Sequence, residues 1–462
     1  MIFTSYDYVL FFILIFVSYW LLRQRTYQNV LLLSGSYIFY GYIHPWFCIL
    51  IAASTIVDYL CALAMIRYAQ RKKYWLVTSL AWNLTLLGVF KYYNFFIDNF
   101  HQILTGLGIP VQLASLSIIL PVGISFYTFQ SLTYTIGVYK GDVQPRKNFI
   151  DFALFVCFFP QLLSGPIERA NQLLPQIESA RVWTWSRFFE AWPLIIGGFL
   201  KKMVIADNVA VYADQVYSLQ SPGFLILAAG TLAFAVQILA DFSGYTDIAR
   251  GSAKLLGFDL VINFNSPYIA ISPSDFWRRW HISFSSWIRD YLYIPLGGSR
   301  LKERWRFLLV LLGTLGLSGL WHGAAWHFVI WGLYHSLIVF VYHSLGFKGS
   351  WKPIGWLKTS FAWSIMFSLT LVGWMFFRTS SIGWLIDNIT HFNLGLTVNS
   401  LLASVAIIAL VLLYSLPLFL LFILERFFQK SRWLHTLFYG LAIAAIYFFS
   451  REATRDFIYF KF

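Results

Sequence analysis

An all-α, polytopic integral membrane protein is what this sequence predicts, and three observations predict it. Charged residues make up only 12% of the chain and hydrophobic ones 59%, whereas soluble domains carry about 25% charged residues. The mean hydropathy is +0.66. Apolar stretches recur near 8–22, 29–43, 46–66, 74–93, 114–138, 149–163, 188–205, 224–241, 307–342, 360–377, 400–424 and 433–449. Since roughly 20 apolar residues span a bilayer core, about 11–13 membrane helices or re-entrant elements are expected, with 307–342 counted as one crossing or two.

In chain order, Asp7 precedes the first apolar stretch and Arg23 and Arg25 follow it. That is the reverse of a cleavable leader, so a retained anchor with its N-terminus outside is expected. Cationic punctuation falls at Arg67 with Arg71, Lys72 and Lys73, at Lys140 with Arg146 and Lys147, and at Lys201 and Lys202. The heaviest group is Arg278, Arg279, Arg289, Arg300, Lys302, Arg304 and Arg306. The positive-inside rule assigns such loops to the cytoplasm and accounts for the formal net charge of +14 without nucleic acid. Phospholipid headgroups or a phosphorylated cosubstrate are the remaining anionic counterparts. Cys48, Cys61 and Cys157 stand singly in apolar segments, with no ligand spacing. No internal repeat or linker is evident, so one membrane domain over 1–462 is expected and a carrier built from inverted repeats is disfavoured.

Several spans are interrupted. Pro121-Val-Gly123-Ile-Ser125-Phe-Tyr-Thr-Phe-Gln130 sets a helix breaker and an amide in an apolar stretch. Phe158-Phe-Pro160-Gln161-Leu-Leu-Ser164-Gly165-Pro166-Ile-Glu168-Arg169 is short and proline-rich, and predicts a re-entrant segment. In the run 307–342, Gly319 and Gly323 bracket His322 and predict a break there. Irregular backbone at membrane depth is tolerated only where protein or a water-filled cavity surrounds it, which favours a central tunnel over simple kinks.

Asp241 and Asp247 follow the 224–241 stretch, six residues apart and so about 120° apart on a helix, too divergent for a carboxylate pair. For Asp241, pairing with an arginine, orienting a histidine and helix-end solvation all stay open. Ser272-Pro-Ser274-Asp275 predicts a capped helix start. Beyond it, Arg278, Arg279 and Arg289 beside Trp277, Trp280 and Trp287 give an amphipathic, membrane-surface pattern. The same arginines would also serve as a rim for phosphates.

Five of the nine histidines lie between 281 and 343, which concentrates any imidazole chemistry there. His322 and His327 are about 140° apart around a helix, and HxxxH and HExxH are absent, so no metal is expected. General acid–base catalysis suits imidazole near neutral pH: one ring activates a hydroxyl toward a thioester while a second polarises the carbonyl. The absence of a GxSxG elbow disfavours a serine hydrolase.

Phe276-Trp-Arg-Arg-Trp-His281-Ile-Ser-Phe-Ser-Ser-Trp-Ile-Arg-Asp-Tyr-Leu-Tyr-Ile-Pro-Leu-Gly-Gly and Trp321-His322-Gly-Ala-Ala-Trp together resemble the membrane-bound O-acyltransferase (MBOAT) family. Within it the likeness is to the alginate O-acetyltransferase branch, a relative of the teichoic-acid D-alanyl transferase. Asp241-Phe-Ser-Gly-Tyr, Asn263-Phe-Asn265, the 121–130 and 159–167 segments and the tail Asp456-Phe-Ile-Tyr-Phe-Lys-Phe462 share in it, and the motifs are densest over about 117–335. The resemblance implies helices around a tunnel open to both faces, in a bacterial plasma (inner) membrane. It matches His322 to the catalytic histidine and His281 to a second, more variable polar position. It further implies acetyl-CoA as the cytoplasmic donor and an extracytoplasmic SGNH-type partner that acetylates a cell-surface or secreted polysaccharide.

Candidate substrate-binding residues are Asn263 or Asn265 for the thioester carbonyl, Arg278, Arg279 and Arg289 for phosphates, and also Asp241 and Trp321. Tyr459 is either a transient acyl acceptor or an aromatic interfacial anchor. Two other readings stay open. One is teichoic-acid D-alanylation from a carrier-protein thioester; the other is a transporter or flippase for a lipid-linked sugar.

Overall fold

Lipid supplies no partners for backbone N–H and C=O groups, so an apolar stretch at membrane depth must close its own hydrogen bonds as a helix. The computed structural model follows this rule: helices occupy most of the chain, and no strand occurs among the described residues. It describes every residue except Pro110, Gln112, Ser164, Lys348, Ser350, Ser380, 428–430, 452–454 and 461–462. Ser164 of the expected re-entrant segment and Lys461 and Phe462 of the tail therefore lie outside the described residues. Phe47–Arg67, Phe224–Leu255, Trp356–Arg378, Val398–Phe427 and Arg432–Phe449 are each long and apolar enough to cross a membrane. In the last two only 11% and 6% of the most apolar window is buried, which leaves their surfaces for lipid.

The chain divides into two compact units. The first comprises Met1–Ile195 and Ala249–Val261. Its interior is tied by buried polar groups: Asp58 accepts from the Ser79 hydroxyl at 2.6 Å and the Asn83 amide at 2.9 Å, and Asn29 donates to Asp151 at 2.8 Å. The expected span 114–138 is only partly helical. Pro121 and the left-handed Gly123 (φ 81°) delay the helix to Ile124–Lys140. The 149–163 stretch is two short helices, Phe149–Cys157, buried from Asp151 on, and the buried Phe159–Leu162, parted where Phe158 turns out of the helical region and Pro160 brings no N–H. Glu168 just beyond them is buried and accepts the Val261 N–H at 2.7 Å.

The second unit, Ile196–Ile248 and Ile262–Phe462, carries every candidate site residue. Asp241 and Asp247 do not mark a helix end: the helix runs unbroken from Phe224 to Leu255. Gly244 within it is a crossing point, because a Cβ there would stand 2.8 Å from the Gly198 carbonyl oxygen. Lys201 and Lys202, expected as loop charges, sit in the π-helical turn Leu200–Ala206. Each faces an acid that is remote in sequence or one turn on. Lys201 meets Asp247 at 2.6 Å, and the buried Lys202 meets Asp207 at 2.7 Å and Asp241 at 2.9 Å.

Candidate active site

The apolar run 307–342 folds as two arms, Arg304–His322 and Trp326–Ser344, and the break falls at Gly323–Ala325. Gly323 and Ala325 are both extended, so the first helix ends on His322. Gly319 is not part of the break. It lets the arms close, since a Cβ there would lie 2.0 Å from the Phe328 carbonyl oxygen, as one on Gly332 would lie 2.1 Å from that of Leu315. This close approach holds His322 inside the protein at 3% exposure. Trp321, Phe284, Trp331, Phe377 and Tyr459 surround the imidazole, with ring centroids 5.1 to 5.6 Å away.

His281 reaches the same aromatic cluster from another segment. The cap at Ser272, whose hydroxyl accepts the Asp275 N–H at 3.2 Å, starts a helix that lasts only Pro273–Trp277. The chain then turns back along residues 263–265: Asn265 N–H donates to Arg279 O at 3.0 Å, and Ile282 N–H donates to Asn263 O at 2.9 Å. His281 makes the corner in the left-handed region (φ 42°, ψ 54°), and a new helix, Ile282–Ile288, begins after it. A non-glycine residue held there costs on the order of 1–3 kcal/mol, a strain that proteins tolerate chiefly at functional positions. The single amphipathic surface helix expected from Trp277 to Arg289 is therefore not formed. Trp280 and Trp287 are 1% and 4% exposed, so they are core residues and not interfacial anchors.

The histidine's tautomer follows from its neighbours. Asn263 is 1% exposed, and its Oδ1 accepts the Ser283 backbone N–H at 3.2 Å and the Ser283 hydroxyl at 3.0 Å. A backbone N–H can only donate, so the amide oxygen faces this way. The same oxygen lies 3.1 Å from His281 Nδ1, which must then carry the proton. Nε2 is left as the lone-pair nitrogen, buried and without a hydrogen-bond partner among the described residues, as is Asn263 Nδ2. Phe284 links the two histidines, its ring 5.0 Å from His281 and 5.5 Å from His322 while stacked on Trp321 at 4.2 Å.

Two cavities reach this cluster. One, of about 320 Å³, has Phe284 in its wall and Arg278 and Arg289 in its lining. The other, of about 450 Å³, has Phe377 and Gly323 in its wall and a charged lining that includes Lys202, Asp241 and Arg455. His322 thus touches one wall residue of each. The C-terminal tail closes over the second side. Ile458 N–H donates to Asp241 Oδ2 at 2.8 Å, Arg455 pairs with Asp214, and Arg378 meets Asp214 at 2.6 Å. Tyr459 is thereby held, partly buried, against His322 and against Phe242, whose ring also packs 4.7 Å from His281.

Of the sequence candidates, His322, His281, Asn263, Trp321 and Tyr459 share one cluster, and Asp241 anchors the tail that brings Tyr459 there. Asn265 is exposed and bonded through its backbone to Arg279. Arg279 itself turns to Asp275 at 2.9 Å and to Asn265 O at 3.2 Å. Arg278 donates to Gly349 O at 2.9 Å, and Arg289 meets Asp290 at 2.8 Å. Lys202, Asp207, Asp214 and Arg378 were missed as contributors. The spacing of Lys202 and Asp207 inside an apolar stretch was the one available signal. Among the described residues no three His, Cys, Asp or Glu side chains converge as metal ligands.

The candidate site thus gathers two buried imidazoles among aromatic rings that also wall two cavities, and residues 144–372 match the model of MBOAT, the membrane-bound O-acyltransferase family. The chain belongs to that family, and it is an O-acyltransferase. It is 40% identical over 389 residues to the probable alginate O-acetylase AlgI of Pseudomonas aeruginosa, spanning 83% of this chain and 73% of that protein. It is 33% identical over 404 residues to the peptidoglycan O-acetyltransferase of Helicobacter pylori, spanning 79% and 75%. Similarity to the teichoic acid D-alanyltransferase of Bacillus subtilis is lower, 28% over 265 residues, or 54% of this chain and 65% of that one.

Proposed function

We propose that this protein takes an acetyl group from cytoplasmic acetyl-CoA and passes it outward across the bacterial inner membrane. The acetyl group would then reach a cell-surface or secreted polysaccharide through an extracytoplasmic SGNH-type partner, with 1–462 acting as one functional domain. The observation that carries this reading is the junction at His322, where a wall residue from each cavity meets the same imidazole. A polysaccharide is too bulky and hydrophilic for so narrow an aromatic passage, which supports a relay to a partner.

In this reading His322 takes the proton of the acceptor hydroxyl as its oxygen attacks the thioester carbonyl carbon. The C–S bond then breaks, and the departing thiolate takes that proton back from the imidazolium. His281, with Nδ1 protonated by its bond to Asn263, offers Nε2 to the acceptor as a second base. The buried Asn263 amide N–H is suited to the thioester oxygen. Arg278 and Arg289 in the lining of the smaller cavity suit the phosphates of CoA. Tyr459, whose ring lies 5.6 Å from that of His322, is suited to receive the acetyl group transiently as a phenyl ester.

Replacing His322 by Ala should abolish ester-linked surface acetyl while the protein stays in the membrane; retained acetylation removes His322 from the catalytic role. Mass spectrometry of the C-terminal peptide after incubation with labelled acetyl-CoA should find the label on Tyr459. A reading as a D-alanyl transferase draws on the Bacillus relative, and binding of a charged carrier protein in place of acetyl-CoA would favour it.

A further inference from the structure

At the end of the helical hairpin remote from His322, the Trp326–Ser344 helix stops and the Trp356–Arg378 helix begins. Phe307 packs on His343 there, with ring centroids 4.4 Å apart, so this end lies beside Arg304 and Arg306. A groove of about 660 Å³ runs along the corner, walled by Tyr342, Phe347, Trp351, Leu357 and Phe361. Phe361 and Leu357 are 70% and 64% exposed, so nothing in the chain covers that wall among the described residues.

The groove is not purely apolar. Lys352 and Lys358 both line it, and neither forms an ion pair among the described residues. No acid of the surrounding sequence is available to them, because the chain has no Asp or Glu between Glu303 and Asp387. An elongated aromatic trough with two uncompensated cations at membrane-helix ends complements a molecule with hydrocarbon chains and a negative head. It lies on the arginine-rich end, which the positive-inside rule assigns to the cytoplasmic leaflet, where anionic lipids attract basic clusters. A protein helix seated here would have to bring its own acids to two flexible lysines, whereas a lipid phosphate accepts from both.

We propose that this corner binds one anionic glycerophospholipid, its phosphate held by Lys352 and Lys358 and an acyl chain laid along Tyr342, Phe347, Trp351 and Phe361. The lipid would also buttress the donor side of the active site, since the Gly349 carbonyl in the same corner accepts from Arg278.

Native mass spectrometry of the delipidated full-length protein in detergent tests this, with phosphatidylglycerol and phosphatidylcholine of matched chains as probes. Phosphatidylglycerol should bind more tightly. Lys352→Gln should weaken it about 5-fold and the double variant with Lys358→Gln about 25-fold, while phosphatidylcholine binding stays unchanged. Glycerol phosphate, the headgroup chemistry without chains, should not compete at equal concentration. Equal affinity for the two lipids overturns the proposal, as does a double variant that keeps wild-type affinity for phosphatidylglycerol. Displacement of the lipid by glycerol phosphate would make this a free phosphate-ester site, and dimers appearing as lipid is removed would make a second copy the occupant. Either result also overturns it. Both lysines are exposed and outside the active site, so the variants should melt as the wild type does.

Discussion

Asn263→Leu isolates hydrogen bonding from packing, because leucine nearly matches the amide in volume and accepts nothing. The substitution deprives three donors of one oxygen: His281 Nδ1–H at 3.1 Å, Ser283 N–H at 3.2 Å and the Ser283 hydroxyl at 3.0 Å. The hydroxyl can rotate to another acceptor, but the other two donors are fixed by the left-handed corner at His281. Each orphaned buried donor costs about 1–3 kcal/mol, so a loss of about 2–6 kcal/mol is expected in thermal unfolding of the detergent-solubilised protein. Turnover should fall further than stability explains, because the imidazole is no longer held with its lone pair on Nε2. Loss of an orienting partner of this kind costs about 10²–10⁴ in rate. Asn263→Asp keeps an acceptor for all three donors and should recover most of the stability, while turnover recovers only in part because the amide N–H suited to the thioester oxygen is gone. The assay is alkali-released surface acetyl per unit of membrane-inserted protein, with thiol release from acetyl-CoA in membrane vesicles as the second readout. An Asn263→Leu protein that is destabilised yet turns over at the wild-type rate would refute the assigned tautomer as a catalytic feature.

Other expectations concern the framework around that pair. Gly319→Ala puts a methyl 2.0 Å from the Phe328 carbonyl oxygen, so the hairpin must spread at a cost of at least about 1–3 kcal/mol and activity should fall more than about tenfold. Gly313→Ala on the same helix meets nothing within 4 Å, and it should be neutral or slightly stabilising in the same melts. Asp241→Ala leaves Lys202 still paired with Asp207 but takes the acceptor from Ile458 N–H; a loss of about 1–3 kcal/mol and faster carboxypeptidase trimming of the tail are expected. Asp241→Asn keeps that acceptor and should retain the tail better, which separates anchoring from charge.

The fold class was legible because hydrophobicity is a local property: each apolar stretch, taken alone, must become a helix in lipid. The break beside His322 was legible for a similar reason, since Gly323 sits where an overlong run has to turn. The 224–241 stretch misled because Asp241 and Asp247 resemble a helix end when their partners are unknown. Lys201 and Lys202 misled in the same way, as charges that a positive-inside reading sends to a loop. Trp277, Trp280 and Trp287 have helical spacing, yet hydrogen bonds from residues 263 and 265 break that helix at His281.

Apolar patterning and motif spacing were enough to establish an all-helical membrane protein, its two histidine motifs and the family they resemble. Contacts made in the folded chain were needed to see that Asn263 sets the proton on His281, that Phe284 and Trp321 join His281 to His322, and that Asp241 holds a tail 217 residues away so that Tyr459 faces the site. The physical reason is that a polar group in a low-dielectric interior must find its partner wherever the fold brings one, and sequence distance places no limit on that choice.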